Sequence, residues 1–104
     1  EVLLPMNAFT SSTSGSAVIT VLEPGHGRST GDTVRFRTVE AFDGFTEAVL
    51  ESSSGYSITV VAGDASTDFQ SAFYTFTASS GTSTVGNVLG GGSVATAGPV
   101  SITK

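Results

Sequence analysis

The chain has 104 residues, room for one small domain with a modest core rather than for two. Nine acidic against four basic side chains leave a net charge of −5; the four cations (Arg28, Arg35, Arg37, Lys104) form no cluster for phosphates, which argues against direct nucleic-acid binding. The absence of cysteine excludes disulfides, zinc–thiolate sites and cysteine nucleophiles together, and no apolar run approaches the length of a membrane span.

Ser and Thr make up about three residues in ten, and the Thr, Val and Phe content favours strands. No basic-then-apolar leader opens the chain, and a start at Glu1 reads as processing, trimming or a segment of a longer protein. The first ten residues, "EVLLPMNAFT", are apolar without clean periodicity, so they are expected to pack over a sheet or dock on a neighbour.

"SAVITVLE" then alternates, with Ala17, Ile19 and Val21 on one face and Val18 and Thr20 on the other. "EPGHG" and "STGD" are rich in turn formers, and "TVRFRTV" follows with Val34 and Phe36 inward and Arg35 and Arg37 outward. "FDGF" sets Asp-Gly between apolar residues, the composition of a tight turn. "EAVLES", residues 47–52, is the one helix-like stretch and is too short to stand alone. "GYSITVVAG" alternates again, with Tyr56, Ile58 and Val60 on one face. "AFYTFTA" buries either Tyr74 and Phe76 or Phe73 and Thr75, and its pattern does not decide between them. In "NVLGGGS" three consecutive glycines imply a flexible bridge or tight packing, and a bridge would let the closing segment reach away from the sheet. "GSVATAG" and "PVSITK" read as weaker closing strands, Pro99 suiting an edge or a strand start.

The candidates for chemistry are thin. His26, Ser29 and Asp32 supply the residue types of a nucleophilic triad, but no Gly-x-Ser-x-Gly elbow is present and His26 is the sole histidine. A local turn is the better reading, with Asp32 accepting from backbone N–H groups at the strand start. Asp64 and Asp68 in "GDASTD" are too few oxygens for calcium, and a solvated hairpin loop is expected there. The glycine runs lack the Lys and helix of a P-loop. Phe42 and Phe45, flanking Asp-Gly, either plug the end of a barrel or contact a partner; the other aromatics fall mostly on inward strand phases.

Taken in order, "NAFTSSTSGSAVITV", "HGRSTGDTVRF", "FDGFT", "GYSITVV", "FYTFTA" and "GGGSV" resemble a β-domain of tailed-bacteriophage virion proteins, particularly short-tailed phage particle and tail-hub proteins. In that family a Ser/Thr-Gly-Ser run leads into a Val/Thr-rich strand, and His-Gly sits three residues before Gly-Asp. His26, Gly27, Gly31 and Asp32 match that signature position by position, and the likeness extends from about Asn7 to Ile102. Ala8 stands where proline is usual, and "LESSSGY" replaces a Leu-Asn-Gly turn. The resemblance implies a structural role in the virion and carries over no catalytic residue.

The expectation is therefore an all-β domain over residues 1–104, a small antiparallel β-sandwich or β-barrel of five to seven strands. His26, Gly27, Gly31 and Asp32 are its structural turn; Leu3, Leu4, Met6, Phe42 and Phe45 are candidate partner contacts. The expected function is a tail, neck or hub module of the virion, assembled with other virion proteins and with its own copies in a ring, with no enzymatic activity, cofactor or metal. The alternative is a carbohydrate- or cell-surface-binding β-domain of an adhesin, and a hydrolase built on His26 is the third reading.

Overall fold

The computed structural model describes residues 2–24, 26–61 and 72–100. Two antiparallel sheets face each other as an open β-sandwich, so the barrel alternative is not realised. One sheet has four strands, in the order β1 (Val2–Leu3), β9 (Thr96–Gly98), β4 (Thr33–Arg37) and β5 (Tyr56–Ser57). The other has five, in the order β6 (Thr59–Val60), β7 (Phe73–Thr77), β3 (Val18–Leu22), β2 (Phe9–Ser11) and β8 (Leu89–Gly90). The one helix among the described residues, α1 (Glu47–Leu50), is a single turn capped by Thr46, whose side chain accepts from the Val49 N–H.

Nine strands among the described residues replace the expected five to seven, for two physical reasons. The run 55–61 keeps one inward phase throughout, burying Tyr56 and Ile58, yet it passes from one sheet to the other between Ser57 and Thr59 and so counts twice. The unpatterned segments 2–11 and 87–92 supply β1, β2 and β8, each too short to show a period of two. Pro99 and Val100 follow β9 outside any strand, and the rest of "PVSITK" lies outside the described residues.

The alternating runs place their side chains as the pattern requires. Ile19 and Val21 of β3, and Val34 and Phe36 of β4, are fully buried, while Arg35 and Arg37 face outward. For β7 the structure decides the open phase: Tyr74 and Phe76 point in and Phe73 points out. The sheets meet through aromatic rings, Phe36 lying edge-on to Phe9 with centroids 5.0 Å apart and 5.1 Å from Phe76, while Tyr56 stacks on Phe76 at 4.5 Å. Burying this cluster is the main apolar contribution to the fold.

The glycine run is a packing feature, not a bridge that carries the closing segment away. A Cβ at Gly90 would strike the Phe42 ring, and one at Gly91 would strike Phe9. The backbone lies flat against two aromatic rings there, which no larger residue permits.

Candidate functional site

The connection from β3 to β4 carries the histidine signature. Ser29 to Asp32 close a four-residue turn, with the Asp32 N–H bonded to the Ser29 carbonyl at 3.0 Å and the Ser29 N–H donating to Asp32 Oδ2 at 2.9 Å. Gly31 stands third in that turn at φ +97°, and Gly27 lies at φ +64°. Both have open space where a Cβ would go, so the requirement for glycine is conformational rather than steric. The turn is tied sideways to the 58–60 segment: the Gly31 N–H donates to the Ile58 carbonyl, and the Val60 N–H donates to Thr30 Oγ1 at 2.9 Å.

His26 is anchored locally. Its Nδ1 accepts from the Arg28 N–H at 2.7 Å, and its ring meets Tyr74 edge-on at 5.2 Å. Nε2 is buried without a hydrogen-bond partner among the described residues, so His26 makes no hydrogen bond to any described Ser or Asp. His26, Ser29 and Asp32 are thus neighbours in a turn rather than a relay.

Beneath this turn lies a buried charged cluster that the motif reading missed. Glu23 is 2% exposed; it accepts from the Tyr74 hydroxyl at 2.5 Å and from the Arg28 guanidinium through both oxygens, at 3.0 and 3.2 Å. Burial, then the hydrogen bond to Glu23 and its charge, raise the Tyr74 phenol well above its ordinary pKa. Burial works against the Arg28 cation, but the hydrogen bond and attraction of Glu23 outweigh it and raise its pKa. A legible signal existed: Glu23 is the next inward position after Ile19 and Val21, and an acid in that phase needs a partner.

A second carboxylate ties the end of β2 to the loop before β8. Asp43 and Gly44 form a two-residue hairpin turn between Phe42 and Phe45, both with positive φ (46° and 91°), as a type I′ turn demands. The Asp43 carboxylate accepts from Ser11 Oγ at 2.6 Å, from Ser83 Oγ, and from the N–H groups of Thr84, Val85 and Gly86. The Ser11 and Ser83 hydrogen bonds, followed by those of the backbone, hold its pKa far below the ordinary carboxylate value despite the opposing cost of desolvation. This is an internal anion nest occupied by the chain's own side chain.

The candidate partner contacts divide. Leu4 and Phe45 are buried in the chain's own core and are not available to a partner, which corrects the expectation for both. Leu4 turns inward as its N–H joins the Ala95 carbonyl, and Phe45 plugs the sandwich below the Asp-Gly turn. Phe42 is half-buried against Phe45 and Phe9, while Leu3 and Met6 stay exposed. Asp64 and Asp68 lie outside the described residues. Among the described residues no group of three or more His, Asp or Glu side chains could hold a metal ion, and no helix is long and apolar enough to cross a membrane.

No family model, no curated protein and no solved structure matches this chain.

Proposed function

We propose that this chain is a structural β-sandwich module of a tailed-phage particle, acting by assembly with its own copies and with other virion proteins. The observation that carries the reading is the apolar edge of the four-stranded sheet. Leu3 is 65% exposed and Met6 71%, and Val94 on the adjoining antiparallel segment is 51% exposed. β1 is the outermost strand of its sheet, so its outward backbone groups can take a further strand as well. Covering Leu3 and Met6 would contribute roughly 1–2 kcal/mol each. The ordered likeness to phage virion domains supplies the biological setting, and the local hydrogen bonds of the His26–Asp32 turn support it. The glycan-binding alternative has less to stand on: Phe45 and Tyr74, aromatics that would mark a sugar-stacking surface if exposed, are core residues.

The test is made on the particle. Leu3→Ser and Met6→Ser leave the buried Leu4 in place, so the domain is expected to fold while particles incorporate less of it. An image of the intact particle should place this edge against a neighbouring subunit. Normal incorporation of the double variant, or an edge facing solvent in the particle, would refute the reading.

A further inference from the structure

Of the four aspartates in the chain, Asp43 alone is followed by glycine. An Asp–Gly pair is the setting in which a side-chain carboxyl is most open to attack by the next backbone nitrogen, because no Cβ on the following residue obstructs the approach. Ring closure needs a protonated carboxyl that can release water, and freedom for that carboxyl to turn toward the Gly44 nitrogen. The fold withholds both. The Thr84 and Val85 N–H groups donate to Oδ1 at 3.2 and 2.8 Å, while Ser11 Oγ at 2.6 Å, Ser83 Oγ and the Gly86 N–H at 3.3 Å donate to Oδ2. The turn itself is clasped by two hydrogen bonds, Phe42 N–H to the Phe45 carbonyl at 3.1 Å and Phe45 N–H to the Phe42 carbonyl at 2.8 Å. Gly44 lies under the 82–84 segment, where a Cβ would stand 2.7 Å from the Thr82 carbonyl oxygen and from Thr84 Oγ1.

From this we infer that the Asp43–Gly44 bond is an isoaspartate-forming site that the folded chain keeps closed, and that it reacts only when the loop 82–88 lifts away. The Gly44 nitrogen attacks Asp43 Cγ; an N–Cγ bond forms, a Cγ–O bond breaks, and the Gly44 proton leaves with the carboxyl hydroxyl as water. Water then adds to one carbonyl of the resulting succinimide ring. Breaking the N–Cγ bond restores aspartate, and breaking the original peptide bond leaves the chain running through Cγ. The water lost is regained, so the reaction is an isomerisation that needs no oxidant, reductant or co-reactant. The donors around Asp43 favour the full charge of the carboxylate over the neutral acid that must form first, so they raise the barrier.

The product cannot resume the native turn. Isomerisation lengthens the backbone by the Asp43 Cβ carbon, between two rings whose places are fixed: Phe45 in the core and Phe42 against Gly90. The free carboxylate now sits directly on Cα, one carbon shorter, and no longer reaches the donors of Ser11, Ser83 and residues 84–86 together. A chain that reacts while the loop is open therefore loses the anchor that closed it. The nest guards against the chemistry that would empty it, and opening of the loop sets the rate in the folded chain. This inference is independent of the virion reading; it stands in any biological setting.

The test follows isoaspartate at residue 43 by chromatographic peptide mapping and enzymatic methyl labelling. The full chain is incubated at neutral pH, either folded or unfolded in urea. The unfolded chain should accumulate isoaspartate at least about tenfold faster, since each unit by which a carboxyl pKa is lowered removes tenfold of the protonated form. Ser83→Ala and Ser11→Ala each withdraw one donor; with circular dichroism confirming the fold, both should react at rates between those two. Ser83→Cys, similar in shape with a weaker donor, serves if the alanine variants do not fold. Equal rates in the folded and unfolded chain would overturn the inference, as would an unfolded chain that forms no isoaspartate at residue 43. So would folded serine variants that react as slowly as the unaltered chain, because the hairpin alone would then be the guard.

Discussion

Two carboxylates fasten the five-stranded sheet in opposite ways. Just past the end of β3 Glu23 is buried and held by side chains, the Arg28 fork and the Tyr74 hydroxyl. At the end of β2 Asp43 sits at the surface and is held by two serine hydroxyls and three consecutive backbone N–H groups. Each anchor protects a different part of the fold. A buried ion pair fixes packing, and its loss leaves uncompensated polar groups in the core. A nest of N–H groups fixes the path of a loop, here residues 82–88 against the Asp-Gly hairpin, and its loss returns those groups to water.

The largest expected effect follows from that contrast. Glu23→Ala strands the Tyr74 hydroxyl in the core and leaves Arg28, about one-fifth exposed, without its counterion. A loss of about 3 kcal/mol is expected, at the lower end of the range for broken buried pairs because Arg28 can regain some water. Denaturant unfolding of Glu23→Ala, Arg28→Met and the double variant measures it. If the double variant is as unstable as the sum of the singles, the cluster is not acting as a unit and the contrast fails.

Asp43 comes next, and pH separates it from Glu23. Its pKa is lower in the folded chain than in the unfolded one, so the folded state binds this proton less readily. The stabilisation is therefore complete above the ordinary value of 3.8 and declines as pH falls from there toward the group's own lower value. Asp43→Asn should flatten the acid limb of the stability–pH curve while costing less at neutral pH than Glu23→Ala. Backbone amide exchange should quicken at Thr84, Val85 and Gly86 and stay slow at β3. An acid limb unchanged in Asp43→Asn would remove this carboxylate from the account.

Much of the fold was legible in the sequence, and the places where it was not share a cause. Val34 against Arg35, and Ile19 against Thr20, declare their faces because each run is long enough to show a period of two. β1, β2 and β8 have two or three residues each and owe their pairing to neighbours far along the chain, such as Phe9 to Gly90. The glycines at 90 and 91 look like a hinge by composition, but the Phe42 and Phe9 rings that need their missing side chains are 48 and 82 positions away in sequence. The His26–Asp32 turn was readable because its partners are local. The Asp43 nest was not, since Ser11 and residues 83–86 lie 32 to 43 positions distant.

The smallest effect belongs to the residue that first draws the eye. His26 sits over the Glu23 cluster, yet its own ties are one accepted hydrogen bond from the Arg28 N–H and an edge-on contact with Tyr74. His26→Ala removes both and opens the roof over Tyr74, for a combined cost of about 1–2 kcal/mol. Its buried Nε2 has no partner among the described residues, so no second described interaction is lost on that side. His26→Asn discriminates between the two ties: its side-chain oxygen can accept from the Arg28 N–H, as Asn does in local turns, but it offers Tyr74 no ring. Recovery of about half the loss in His26→Asn would assign the hydrogen bond its share. A loss at His26 as large as that at Glu23 would mean the histidine holds the ion pair in place, and the division between a charged anchor and a packed lid would have to be redrawn.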